Sequence, residues 1–441
     1  MKGIILAGGT GSRLRPLHMN NRLLDLRDRF IGHLKMPLYI NAYYLMANTV
    51  VGSILGFAFW TVAARYYSPQ DIGLSSALIS STGLITTISN LGLGAGLIRF
   101  LPSSSKPNSL INSSFILTSL ASFIVGVIFL SGLNLWSPKL IFILKDYRYI
   151  LFFLALSIFT MISSIQDNVF IAYRSAKFTF MKNTTIAIVK IILLLFLLNL
   201  GAFGIFSATG IGIILAVLIS MTLLLPKVIP DYRFSYALDK DVLKDTIRFS
   251  FENYVAGLVG GLHTMILPLM ILNTLGAEAN AYYYIAYSIA GVLFIIPGAI
   301  STSLFAEGSN DITNLSHNVK RSLQLSLMLL SLGIITVFLF GDKILLLFGK
   351  TYSQASFEML KLLSISAIPI AINSIIFTVL RINFKMKTII KLSALNSMGI
   401  LVLAYLLSQK FQLTGIGIAW IIMQSVVFIC ATISVRKLGR I

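Results

Sequence analysis

The chain has 441 residues, of which 56% are hydrophobic and only 11% charged, with a net charge of +20. A water-soluble domain carries about 25% charged residues to solvate its surface, so this composition excludes a soluble fold. Runs such as Ile191–Leu198 and Ile211–Leu225 lack the apolar–polar alternation of a membrane barrel. The basic excess contains no aromatic-flanked basic run, so no nucleic-acid partner is expected; cytoplasmic loops of membrane proteins collect Lys and Arg in this way. A single cysteine, Cys430, excludes an intrachain disulfide and a cysteine-based metal site, and no cofactor is expected.

Residues 1–17 read Met1-Lys2-Gly3-Ile4-Ile5-Leu6-Ala7-Gly8-Gly9-Thr10-Gly11-Ser12-Arg13-Leu14-Arg15-Pro16-Leu17. They resemble the opening of sugar-1-phosphate nucleotidyltransferases, where a strand feeds a glycine loop whose amides hold nucleotide phosphates. The rest of that α/β domain has no counterpart, because apolar spans begin near residue 40. A strand without a sheet cannot close a phosphate site. Residues 1–18 therefore read as a non-functional stub from a gene junction or misplaced start, with Met19 a later start. No signal peptide is expected. In 19–38, Leu23, Phe30 and Leu34 share a helical face and Asp25 and Arg29 stand four apart, the pattern of an amphipathic helix on the membrane surface.

Twelve apolar runs follow, each long enough to cross about 30 Å of hydrocarbon as helix. They lie at 40–64, 73–98, 110–132, 149–172, 180–199, 203–225, 249–272, 281–305, 321–341, 357–380, 388–408 and 413–435. The predicted fold is all-α and polytopic. With the N-terminus in the cytoplasm, inside segments hold 26 Lys and Arg and outside loops eight, which by the positive-inside rule puts both termini in the cytoplasm of a cell membrane protein. The longest connection, 226–248, separates six-span halves at 39–225 and 249–441. Six spans each give the halves one orientation, as in parallel repeats enclosing a substrate path.

Ionisable residues inside the hydrocarbon are expensive and mark functional candidates. Asp167 ends span four, with Arg174 two turns further along one face; Lys190 lies deep in span five; Arg248 and Glu252 open span seven four residues apart. Arg174 and Arg248 also fit snorkelling side chains, Asp167 and Glu252 fit structural partners for them, and His263 fits a packing residue. In the functional alternative, Lys190, Arg174, Arg248 and Arg99 offset the charge of an anionic headgroup in a wet cavity. Asp167, Glu252 or Glu307 then binds a proton or sodium ion in one cavity state only. Pro268, Pro297 and Pro369 are expected to kink their helices, and Gly257 and Gly261 to permit close helix contact.

Ala64-Arg65-Tyr66-Tyr67-Ser68-Pro69-Gln70-Asp71-Ile72-Gly73, Gly92-Leu93-Gly94 and Ile98-Arg99-Phe100-Leu101-Pro102 resemble the polysaccharide flippases. Ser303-Leu304-Phe305-Ala306-Glu307-Gly308 and Leu347-Phe348-Gly349-Lys350-Thr351-Tyr352 fit the same group, within the multidrug/oligosaccharidyl-lipid/polysaccharide exporter superfamily. The resemblance covers roughly residues 35–441. It implies a V-shaped bundle around a central cavity, membrane lipid as surroundings, and flipping of a polyprenyl-pyrophosphate-linked oligosaccharide to the outer leaflet by alternating access. The rivals are a cation-coupled drug antiporter, which favours an acidic cavity, and a membrane enzyme of polysaccharide assembly. The outside loops near 133–148 and 342–357 lack a carboxylate pair with histidine, so no enzyme is expected.

Overall fold

A computed structural model describes residues 37–230, 232–236, 239–310 and 314–436. The stub at 1–18 and nearly all of the amphipathic segment 19–38 lie outside the described residues. Among the described residues the chain is helical, with no strand. The main helices are α1 Pro37–Tyr66, α2 Pro69–Ser89, α3 Leu93–Phe100, α4 Pro107–Ser131, α5 Tyr147–Ala172 and α6 Ala176–Phe196. They continue as α7 Gly201–Ile219, α8 Lys240–Thr274, α9 Ala277–Asn310, α10 Leu315–Leu346, α11 Lys350–Ile382 and α12 Met386–Arg436.

Eleven helices among the described residues are long and apolar enough to cross a membrane. The last of them is two spans joined at Gln412, where φ is 49°, which gives twelve crossings. Several helices run a few residues beyond the expected spans, and two larger differences bear on the site. The run 73–98 is not one helix: Leu91 (φ 52°) and Gly92 (φ 81°) break it into α2 and α3. Two successive left-handed residues cannot continue a right-handed helix. The 226–248 linker is also shorter, because α8 already begins at Lys240. Pro268, Pro297 and Pro369 stand inside continuous helices.

The halves repeat each other at backbone level. The α5–α6 turn bonds Tyr173 N to Val169 O, Arg174 N to Ile171 O and Ser175 N to Phe170 O, with Arg174 left-handed. The α11–α12 turn bonds Asn383 N to Val379 O, Phe384 N to Arg381 O and Lys385 N to Leu380 O, with Phe384 left-handed. Further on, Gly201 (φ 52°, ψ −131°) and Gln412 (φ 49°, ψ −131°) make the same bend.

Call the end of the bundle that holds the α1 start and the 232–236 segment the terminal end, and the opposite one the distal end. At the distal end the halves are sewn together. Gly73 lies so close to the Ala277 carbonyl that no larger residue fits, Asn280 Nδ2 donates to Gly73 O at 2.7 Å, and Trp60 meets Tyr284 edge-on at 4.9 Å. Towards the terminal end α1 and α9 part: nothing lies within 4 Å of a Cβ built at Gly52, Gly56 or Gly291.

Candidate functional site

The break at Leu91–Gly92 shapes the site. It turns Asn90 inward, where its Oδ1 accepts from Gly94 N at 3.3 Å, and lets three glycines approach their neighbours. Gly92 meets Ser250 and Tyr254, Gly94 meets Asn168, and Gly96 meets Thr246. Between α2, α3, α5 and α8 this leaves a crevice of about 290 Å³. Thr86, Thr87, Asn90, Ser164, Asn253 and Tyr254 set polar groups into its largely apolar wall, which Gly257 leaves open. Tyr254 spans the seam between the halves, its hydroxyl donating to Ile88 O at 2.7 Å. The ten lining residues include no Lys, Arg, Asp or Glu. The Thr86, Thr87 and Tyr254 hydroxyls donate to backbone carbonyls, so the Asn90 and Asn253 amides and the Ser164 hydroxyl are the lining groups that can both donate to and accept from a neutral polyol.

Directly behind this wall is an ion pair. Lys182 Nζ stands 2.9 Å from Asp167 Oδ1; the lysine side chain is fully buried and the aspartate 25% exposed. The ammonium also donates to Ser163 O at 2.6 Å and to Ser163 Oγ at 2.8 Å. Two hydrogen bonds to Ser163 and the charge of Asp167 thus compensate an ammonium removed from water.

The other candidates take varied positions. Arg174 is exposed at the left-handed α5–α6 turn, and Asp167 pairs with Lys182 rather than with it. Lys182, counted from sequence as a loop residue, proves the most buried cation described. Arg99 is exposed on α3, one turn beyond Ala95 of the crevice lining. Lys190 caps the ring of Phe59 at 4.4 Å, between α6 and α1; Asn183, on the same face of α6, donates to Asn48 Oδ1 at 3.2 Å. Glu252 is exposed beside Asn253, and Glu307 is exposed near the terminal end of α9. Arg248 lies on α8, its side chain outside the described positions. The crevice itself is lined by neutral groups, and none of Arg99, Arg174 and Lys190 is among its lining residues. Gly257 and Gly261 are not contact glycines either, since a Cβ on either meets nothing within 4 Å. His263 is a packing residue, its Nδ1 3.0 Å from Ser397 Oγ and its ring against Trp420.

Sequence reasoning missed Lys182 and the Asn90–Asn168–Asn253 amides. A signal for Lys182 existed: it lies eight residues after Arg174 and Asp167 seven before, so a hairpin turning at Arg174 sets them opposite each other.

Residues 38–306 match the family described as polysaccharide biosynthesis protein. The chain belongs to that family. It is 27% identical over 200 residues to a putative O-antigen transporter of Shigella flexneri, covering 42% of this chain and 48% of that protein. The chain thus spans about half the length of the curated relative it matches. The family's fold is also that of known transporters. The lipid II flippase MurJ in an inward closed conformation superposes with a TM-score of 0.73 at 15% identity, over 90% of this chain and 87% of that one. An inward-facing multidrug resistance MATE transporter of the MOP superfamily gives 0.69 at 13% identity, over 90% and 99%. This family member is therefore a multi-pass membrane protein with a MATE- and MurJ-like transporter fold.

Proposed function

We propose that this chain flips a polyprenyl-pyrophosphate-linked oligosaccharide from the cytoplasmic to the outer leaflet by alternating access. The observation that carries the reading is the crevice between the halves, where Asn90, Ser164 and Asn253 set amides and a hydroxyl into a largely apolar wall inside a twelve-span bundle. Family membership and the O-antigen relative point to the same cargo class. Removing buried Lys182 from the inside count leaves 25 Lys and Arg against eight, so the positive-inside rule still favours cytoplasmic termini. The terminal end then faces the cytoplasm, and the distal contacts close the outer side.

In this reading the sugars meet the crevice lining, while the pyrophosphate is drawn in by exposed Arg99 and Arg174, with Arg248 on the same side. Lys190 offers a charge deeper in the first half. The gap between α1 and α9, about 260 Å³ and flanked by Ser53, Gly56, Ser288 and Gly291, lets the lipid tail stay in the bilayer. Asp167, beside the crevice and tied to Lys182, is the candidate for coupling a proton or sodium gradient, with Glu252 and Glu307 nearer the cytoplasm. A group bound in only one of two states shifts the balance between them.

The test is translocation of a lipid-linked oligosaccharide in reconstituted vesicles, with and without imposed proton and sodium gradients. Flipping above protein-free vesicles is expected; equal rates with and without the protein would sink the reading.

A further inference from the structure

A second cavity, of about 750 Å³, lies at the distal end of the second half, on no wall of the crevice. Three segments meet there: the start of α9 with Glu278 and Tyr282, the start of α11 with Gln354, and the bend of α12 with Lys410 and Gln412. Gln412 is the telling residue. Its φ of 49° and ψ of −131° belong to a region that side chains rarely adopt and glycine tolerates. The first half makes the same bend with Gly201. Glycine therefore suffices for the fold, and a glutamine here strains the backbone to put an amide at the cavity. The two halves also differ in the space around the bend. A Cβ built on Gly201 falls 2.8 Å from Asp71 Oδ1, so a side chain there has to displace that carboxylate.

We infer that this distal cavity binds a sugar unit of the transported glycan on the release side. The Gln354 and Gln412 amides each offer a donor and an acceptor, the pairing that neighbouring hydroxyls need. Tyr282 and Phe411, both on the cavity wall, supply apolar ring surface for the C–H face of a pyranose. Glu278 and Lys410 carry opposite charges, so the site favours a neutral polyol over a free ion. The inference rests on the flippase reading for its cargo but is tested separately from it.

The experiment uses the full chain in detergent and, as probe, the soluble oligosaccharide released by mild acid from the lipid-linked glycan of the cells that make this protein. Saturation-transfer NMR reports binding and thermal unfolding reports stability. Gln412→Gly should weaken binding at least about fivefold while raising the melting temperature by about 2 °C, since strain is relieved. Gln354→Ala, an exposed position, should weaken binding with the melting temperature unchanged. Wild-type binding retained by both variants, no binding to the wild type, or a lower melting temperature for Gln412→Gly overturns the inference. Wild-type protein that flips the glycan in vesicles but does not bind the probe loses only this cavity. Protein that binds the probe but flips nothing loses only the flippase reading.

Discussion

The α5–α6 and α11–α12 hairpins have the same turn and the same hydrogen bonds, but their interiors differ. Residues 210 positions beyond Asp167 and Lys182 are Phe377 and Leu392, which sit in one apolar cluster. The first half holds a buried ion pair where the second holds hydrocarbon. Since the second half folds without charge at this place, the fold does not require it. Buried ion pairs add little stability over apolar packing, and are costly chiefly when one partner is lost. On the proposed function, the pair beside the crevice serves transport rather than folding, and the variants below test that reading.

Breaking the pair on one side should give the largest effect. Lys182→Leu leaves Asp167 without its counter-ion and should destabilise the protein by about 3–5 kcal/mol, read from thermal unfolding in detergent. A Lys182→Leu protein as stable as wild type would show that the pair is not formed. The double variant Asp167→Phe, Lys182→Leu gives the first half the interior of the second and should recover most of that loss. It should still insert, yet flip the lipid-linked glycan about tenfold more slowly, equivalent to about 1.4 kcal/mol on the barrier. Undiminished flipping by the double variant would reduce the pair to a relic of packing.

The bends at Gly201 and Gln412 allow a smaller perturbation. Gly201→Gln places a side chain at φ 52° and against Asp71 Oδ1, and should cost about 2 kcal/mol of stability. An unchanged melting temperature would mean that the two bends are not under the same backbone constraint.

The twelve spans and the two halves were legible because hydrocarbon thickness dictates the length of apolar runs, whatever the packing. The site was less so. Gly92-Leu93-Gly94 carries family resemblance, but its structural effect, a helix broken at Leu91 that turns Asn90 into the crevice, depends on positive φ at a leucine, which no propensity predicts. Lys182 looked like a loop charge because a positive-inside count treats any lysine near a span end as solvated. Its burial depends on Asp167 across the hairpin. Gln412 was silent for a similar reason: a bend that Gly201 announces as glycine is made there by a residue with no turn preference.

The smallest effect concerns the link after the first span of each half. Tyr67 donates its hydroxyl to Leu194 O at 2.7 Å, whereas Thr274, seven residues before Ala281 in the second half, donates to Met270 O within its own helix. Burial, and then the nearby Asp71 carboxylate, push the Tyr67 hydroxyl from 10.0 up to about 12. An unfolded tyrosine ionises near pH 10. Between pH 10 and 12 the unfolded chain thus loses this proton while the folded chain keeps it. The group's stabilisation is fully present below pH 10 and declines as pH rises through that window. Burial raises Tyr232 in the same direction, so removing one tyrosine flattens the alkaline decline only in part. Tyr67→Phe should lose about 1 kcal/mol at pH 8 with the hydrogen bond, and should lose less than wild type on going from pH 8 to 11. Melting temperatures at both pH values decide it. Equal alkaline losses in the two proteins would mean that the Tyr67 proton is not held by the fold, and that the first-half link is no tighter than its second-half counterpart.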